Sequence, residues 1–300
     1  MSQWITSIEG TEAGHTAALI LALTAAFLHA VFGSLQKGRI DPWLSRGAID
    51  TAQVILALPV ALFLVPRPVG SEWLLILAAL PIHFTYKLGM ALAYSRGAFT
   101  VVYPVVRGMG PVFTVFGAWI VFGEVFTLTQ WAGVIVLLGG IFGLALYNLR
   151  TIQLARDTLV PALWLAAGTG GLVALYTTYD AFAIRATPDP FTFLGWFFVI
   201  CSVDMPVLAA LRWRRMTDRP DPVRLARLGV TGALIAFGSF GSVMLATRLD
   251  KVGEAAILRE TSTVFAALIG WLVLKETVGP RRIALMTLIA LGAVIVELGG

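Results

Sequence analysis

The chain has 300 residues, of which 58% are hydrophobic and only 13% charged, against about 45–50% and about 25% in an ordinary soluble protein. That excludes a water-soluble globular domain and points to an integral membrane protein, all-α because the apolar runs are about 20 residues long rather than the alternating runs of about 10 that a barrel needs. The net charge of +5 is not a nucleic-acid signal, since the basic residues cluster in loops between apolar runs, and one cysteine, Cys201, excludes an internal disulfide.

In chain order, the N-terminal stretch "MSQWITSIEGTEAG" has no basic region, and the apolar run after it is too long for a signal peptide, so it is expected to be a first span. Ten spans are predicted, at 14–35, 48–65, 72–95, 98–122, 128–149, 160–184, 191–212, 226–248, 252–274 and 281–298, separated by turn and charge signals such as "QKGRIDP", "PRPVGSE" and "RWRRMTDRPDPVR". With the N-terminus outside, fifteen Lys and Arg residues fall in cytoplasmic loops and four (Arg67, Arg185, Arg248, Lys251) in outside segments. The positive-inside rule then places both termini on the non-cytoplasmic side.

The first span carries His29, either a packing residue or a ligand. The third, "PIHFTYKLGMALAYSR", places His83 and Lys87 at i and i+4, a polar stripe on an apolar helix. Lys87 either snorkels to the cytoplasmic edge or offers a cation at depth. The fourth span holds Arg107 at its middle, where a basic residue costs about 2.5–3.5 kcal/mol on insertion scales. Pro111 cannot donate to the Arg107 carbonyl, Gly108 and Gly110 remove bulk, and Tyr103 and Thr114 share the arginine's face. A polar-lined, kinked helix wall is expected there.

The sixth span ends in "YTTYDAFAIR", with Tyr176 and Asp180 at i and i+4 near the outer mouth. Asp204 lies deeper in the seventh. The ninth repeats the fourth: Arg259 follows Arg107 by 152 residues, with Ser262 and Thr263 on its face. Glu260 points about 100° away from Arg259 and is free to pair with Arg107 or to carry a proton. Glu124 and Glu276, at matching span ends, are read as structural carboxylates that take the next helix's exposed N–H groups. Gly139 and Gly143 are read as helix-packing glycines.

The same 152-residue shift superposes Arg96 on Arg248, Val112–Phe113 on Val264–Phe265, Trp119 on Trp271, Glu124 on Glu276 and Gly140 on Gly292. Two five-span halves, 1–150 and 151–300, follow. Five being odd, they must be inverted with respect to each other, the plan of secondary transporters with a central site.

The patterns R-x3-P-V-F-x5-W-x4-E in the fourth span and R-x4-V-F-x5-W-x4-E in the ninth, with "LHAVFGSLQKGRIDP", "YSRGAFTVVYPVVRGMGP" and "YDAFAIRATPDP", resemble EamA-type members of the drug/metabolite transporter superfamily. The resemblance covers residues 14 to 298. It implies ten helices and a transporter, and leaves the substrate open. Two departures stand out. The family's usual orientation has cytoplasmic termini, opposite to this chain's charge bias, and Pro111 of the fourth span is matched by Thr263 in the ninth.

The function expected is secondary active transport of a small polar organic solute bearing a carboxylate or a phosphate or phosphonate group, by alternating access around Arg107 and Arg259. The substrate-binding candidates are Arg107, Arg259, Lys87, His83, Tyr103, Tyr176 and Thr263; the proton-coupling candidates are Glu260, Asp204, Asp180 and His29. A multidrug or amphipathic-metabolite exporter and an intramembrane enzyme acting on lipid-linked substrates are the alternatives. No catalytic residue, metal or cofactor is expected, since no HExxH, Walker A loop or Cys/His cluster is present. The partners expected are a small-molecule substrate and the bilayer of a bacterial-type inner (plasma) membrane, with a homodimer allowed and nucleic acid excluded.

Overall fold

A computed structural model describes residues 2–35, 40–96, 99–151, 156–272 and 279–300, with side chains described outside 34, 94–104 and 148–160. Its helices are α1 Ser2–Ile8, α2 Glu12–Leu35, α3 Pro42–Phe63, α4 Ser71–Arg96, α5 Phe99–Phe122, α6 Leu128–Thr151, α7 Arg156–Ala186, α8 Pro190–Ile200, α9 Asp204–Arg215, α10 Pro222–Leu249, α11 Val252–Arg259, α12 Ser262–Leu272 and α13 Pro280–Leu298. Among the described residues, eight segments are long and apolar enough to cross a membrane. The expected sixth and tenth spans form as α7 and α13 but fall outside that set. Glycines and threonines around Thr169, Thr177 and Thr178 dilute α7, and Arg281, Arg282 and Glu297 charge α13.

Three helices start on an Asp-Pro pair. The side chains of Asp41, Asp189 and Asp221 accept from the first free N–H groups of α3, α8 and α10, and the following proline sits at the first helical position, where its missing N–H costs nothing. This cap starts α3 at Pro42, six residues before the expected boundary, and puts Asp50 well inside the helix.

Two expected spans are broken. The seventh divides into α8 and α9 around Cys201–Val203, where Pro206 cannot donate back to Ser202 and so prevents a continuous ladder. The ninth divides into α11 and α12 at Glu260–Thr261, where Thr261 Oγ1 donates to the Leu258 carbonyl at 2.6 Å and Thr263 Oγ1 to the Glu260 carbonyl at 2.9 Å. Both hydroxyls bond back to carbonyls that also accept the same residues' backbone N–H groups, which tightens the turn at the break. By contrast α5 runs on through Pro111.

The packing pairs are α5 with α7, α4 with α7, α2 with α10, α11 and α12, α3 with α8, α9 and α10, and α6 with α13. The α6–α13 seam is a close one. A methyl group on Gly140 would come within 2.7 Å of the Leu285 carbonyl oxygen, and one on Gly292 within 2.5 Å of the Leu137 nitrogen. Gly143 joins this seam against Leu285, whereas Gly139, expected to pack with it, faces open space.

One end of the bundle is tied by long-range polar contacts. Glu124 accepts from Val252 N at 2.8 Å and Gly253 N at 3.0 Å. Its role is the structural one expected, but the helix it caps is α11 rather than the next helix α6. Glu276 lies outside the described residues. At the same end Ser2 donates to Asp189 at 2.8 Å, Arg248 pairs with Glu9 and donates to the Ile184 and Thr187 carbonyls, and Thr127 donates to the Gly299 carbonyl at 2.7 Å. At the opposite end Arg212 pairs with Asp41 at 3.1 Å.

Candidate functional site

The break between α11 and α12 faces the middle of α5, and there the two repeated arginines meet. Arg107 donates through Nη2 to the Ser262 hydroxyl at 2.7 Å and to the backbone carbonyl of Arg259 at 3.2 Å. Its Nε lies 2.8 Å from Glu260 Oε2, a charge contact whose N–H is not aimed at the oxygen. Glu260 is 1% exposed, so the pair is fully desolvated. Arg107 Nη1 also reaches His29 Nε2 at 3.4 Å. A guanidinium only donates, so Nε2 accepts and the ring proton sits on Nδ1.

Arg259 is placed differently. Its side chain is 5% exposed, and its Nε is buried with no hydrogen-bond partner among the described residues. No described carboxylate forms an ion pair with it. Electrostatically it acts on both Glu260 and His29. The cluster therefore holds two guanidinium groups, one carboxylate and one imidazole accepting from Arg107. Thr263 turns its hydroxyl back to the Glu260 carbonyl. Thr114, on the face of Arg107, is buried and donates to the Gly110 carbonyl at 2.9 Å. The side chain of Tyr103 lies outside the described residues.

A second group lies on α4, α7 and α8. His83 Nε2 contacts both oxygens of Asp180, at 2.9 and 3.1 Å, and its ring packs on Tyr176 at 4.8 Å and Phe197 at 4.9 Å. Tyr86 closes this layer, 4.7 Å from Tyr176 and within the electrostatic reach of Arg107 and Arg259. Asp180, expected near the outer mouth, is instead 3% exposed inside the bundle. The i, i+4 spacing that pairs it with Tyr176 also turns it toward α4.

Lys87 belongs to neither group. All three of its N–H donors are taken, by Asp50 Oδ2 at 2.8 Å, Asp204 Oδ1 at 2.8 Å and the Cys201 carbonyl at 2.6 Å. Of the three cations expected to share one site, the structure brings two together and sends the third to the α8–α9 break. Asp204, expected as a proton carrier, is that lysine's counter-ion. Asp50 was not singled out from the sequence, because a span starting at residue 48 leaves it at a loop edge; the Asp-Pro cap was the signal that could have found it.

A further polar knot sits at the end tied by Glu124. His15, Asp250 and Glu254 each bring a metal-ligating atom to within 4.8 Å of the others. Glu254 Oε1 already accepts from Lys251 Nζ at 2.8 Å and Gln130 Nε2 at 2.5 Å. Burial works against the Lys251 charge, but the bond to Glu254 and the nearby carboxylates outweigh it and hold the ammonium above its usual range.

The comparisons with known proteins agree with this architecture. Residues 160–298 match the family model described as "EamA-like transporter family". A solved structure titled "Crystal structure of protein" is similar over 94% of this chain and 98% of that one, with a TM-score of 0.74 and 18% sequence identity, a likeness of fold alone. None of the curated proteins matches. Residues 160–298, which hold Arg259, Glu260 and the α11–α12 break, thus match the EamA-like transporter family model, and the eight described segments long and apolar enough to cross a membrane fit the multi-pass transporter that the drug/metabolite transporter resemblance implied.

Proposed function

We propose that the protein is a secondary transporter of a small organic anion, bearing a carboxylate or a phosphate or phosphonate group, which binds between α5 and the α11–α12 break. The observation that carries this reading is the buried Arg259 guanidinium, whose Nε has no described partner beside an Arg107 that already has Glu260. Burying a charge without a counter-ion is costly, and the cost is offset when an anion arrives. Guanidinium forks match carboxylate and phosphate oxygens bidentately. His83, Tyr176 and Tyr86 would form the adjoining wall for the rest of the solute.

The mechanism proposed is alternating access of two inverted five-helix halves, 1–150 and 151–300. Three relations support it. The contact of α5 with α7 corresponds, five spans on, to that of α11–α12 with α2, and α4 with α7 corresponds to α2 with α10. The α6–α13 and α3–α8/α9 contacts map onto themselves under the same shift. Both proposed halves also contribute an arginine to the centre.

Counterflow in proteoliposomes tests the substrate class. Preloaded organic anions are expected to exchange and lipophilic cations not to. Exchange of cations alone would point to a multidrug exporter, and conversion of a lipid without exchange to an enzyme.

The orientation proposed, with both termini on the non-cytoplasmic side of a bacterial-type inner membrane, rests on the fifteen-to-four charge count. A fluorescent reporter that matures only in the cytoplasm, fused after Gly300, is expected to stay dark. A bright reporter overturns this orientation.

A further inference from the structure

The surroundings of Lys87 have the chemistry of an ion site. Two carboxylates and one main-chain carbonyl converge on a single nitrogen, all within 2.8 Å. They come from two elements that Lys87 itself does not belong to. Asp50 is on α3 and is fully buried; Cys201 and Asp204 flank the break between α8 and α9. The carbonyl of Cys201 is available because the helix stops there. Oxygens from an interrupted helix together with acidic side chains are what membrane transporters offer a small monovalent cation.

A second observation separates this arrangement from an ordinary buried salt bridge. Asp204 Oδ2 is buried and has no hydrogen-bond partner among the described residues. Asp204 Oδ1 accepts both from Lys87 and from the Met205 N–H at 2.6 Å, so the carboxylate keeps Oδ2 as an acceptor beyond the three that the ammonium engages. A lysine needing only a counter-ion would be served by one carboxylate, and Asp50 is already shared with Arg46, whose Nε lies 2.8 Å from Oδ1. Asp50, Asp204, Lys87 and Arg46 sum to zero charge, so the cluster is balanced only while a cation occupies the Lys87 position.

We infer that the α3/α8–α9 junction is a monovalent-cation site in which the chain's own ammonium, carried in by α4, occupies the ion's position. Tethering keeps the local cation concentration high and independent of the medium. The junction is therefore held without sodium. Removing the side chain leaves an oxygen cage that takes a free alkylammonium or alkali cation in its place. This inference is independent of what binds at Arg259.

The test is Lys87→Ala, purified in detergent and melted in choline chloride, with propylammonium, sodium or neutral propanol titrated in. In choline, Lys87→Ala is expected to melt below the wild type. Propylammonium is expected to raise its Tm saturably by about 3 °C or more, the size of shift a well-filled site gives a chain of this length. Sodium should give a smaller saturable rise. Propanol, of similar size without the charge, should give none, and the wild type should respond to none of them. Lys87→Met restores the volume without the charge and should remain low in every medium. If Lys87→Ala folds only when propylammonium is present during purification, the same conclusion holds. A Lys87→Ala protein indifferent to both cations, or unfolded in every medium, overturns the inference. So does a Lys87→Met protein that melts with the wild type, since the junction would then need no cation.

Discussion

Replacing Arg259 by glutamine is expected to weaken binding of the anionic substrate by about 10–100-fold, the loss of one charge-assisted hydrogen-bonding group worth about 1.5–3 kcal/mol, and to reduce counterflow accordingly. The folded protein should not suffer. The Arg259 Nε has no described acceptor, and the side chain adds a second positive charge to a cluster with one carboxylate. Its removal relieves repulsion with Arg107, so the Tm in detergent is expected to be equal to the wild type's or higher. A residue that stabilises the fold behaves in the opposite way, losing Tm first and transport second. Anion counterflow that survives Arg259→Gln at wild-type rate would reassign the arginine and remove the main support for an anionic substrate.

The arginine pair was legible because its markers are rare residue types. Arginine, tryptophan and glutamate recur at one offset in a chain made mostly of Leu, Ala, Val and Gly, and the arginine pair so identified does meet in space. Helix breaks were not legible. Both interrupted segments read as continuous apolar runs, in which Pro206 marks the α8–α9 break only as a proline within a long apolar stretch, and the side-chain-to-carbonyl bonds from Thr261 and Thr263 at the α11–α12 break are not reported by periodicity.

The partners of buried charges were only half legible. The sequence allows Glu260 either to pair with Arg107 or to carry a proton, because the 152-residue offset sets Arg107 and Arg259 at corresponding positions. Lys87 with Asp50 and Asp204, and His83 with Asp180, join helices that no offset relates. A polar residue inside a span announces that it needs a partner, but choosing among three lysine and arginine candidates requires the packing of α3, α4 and α8. The cap at Asp41–Pro42 is a local signal that moves Asp50 from a loop edge into the core.

The Arg107–Glu260 pair is the second place where a large effect is expected, and it is asymmetric. Glu260→Gln removes the cluster's one carboxylate and leaves two desolvated guanidinium groups facing each other. Breaking a buried pair from one side costs about 3–5 kcal/mol, and the like charge beside it places this variant at the upper end. Arg107→Gln leaves Glu260 within the influence of Arg259. The carboxylate then transfers its pairing to Arg259, so the stability loss should be at the lower end or below it. Transport should nevertheless vanish, because the unpartnered guanidinium now has an internal anion.

The double variant, Arg107→Gln with Glu260→Gln, leaves a neutral pair and restores the single uncompensated arginine. It is expected to be more stable than Glu260→Gln alone, with a coupling energy of about 1–3 kcal/mol. Unfolding of the four proteins in detergent measures the cycle. Strict additivity would mean that the 2.8 Å contact carries no energy, as its misdirected N–H would allow. Glu260 would then be held by Arg259 instead, and the anion would have to bind at Arg107. The order of the single variants separates the two cases. With Glu260 on Arg107, it is Arg259→Gln that leaves stability intact; with Glu260 on Arg259, that property passes to Arg107→Gln.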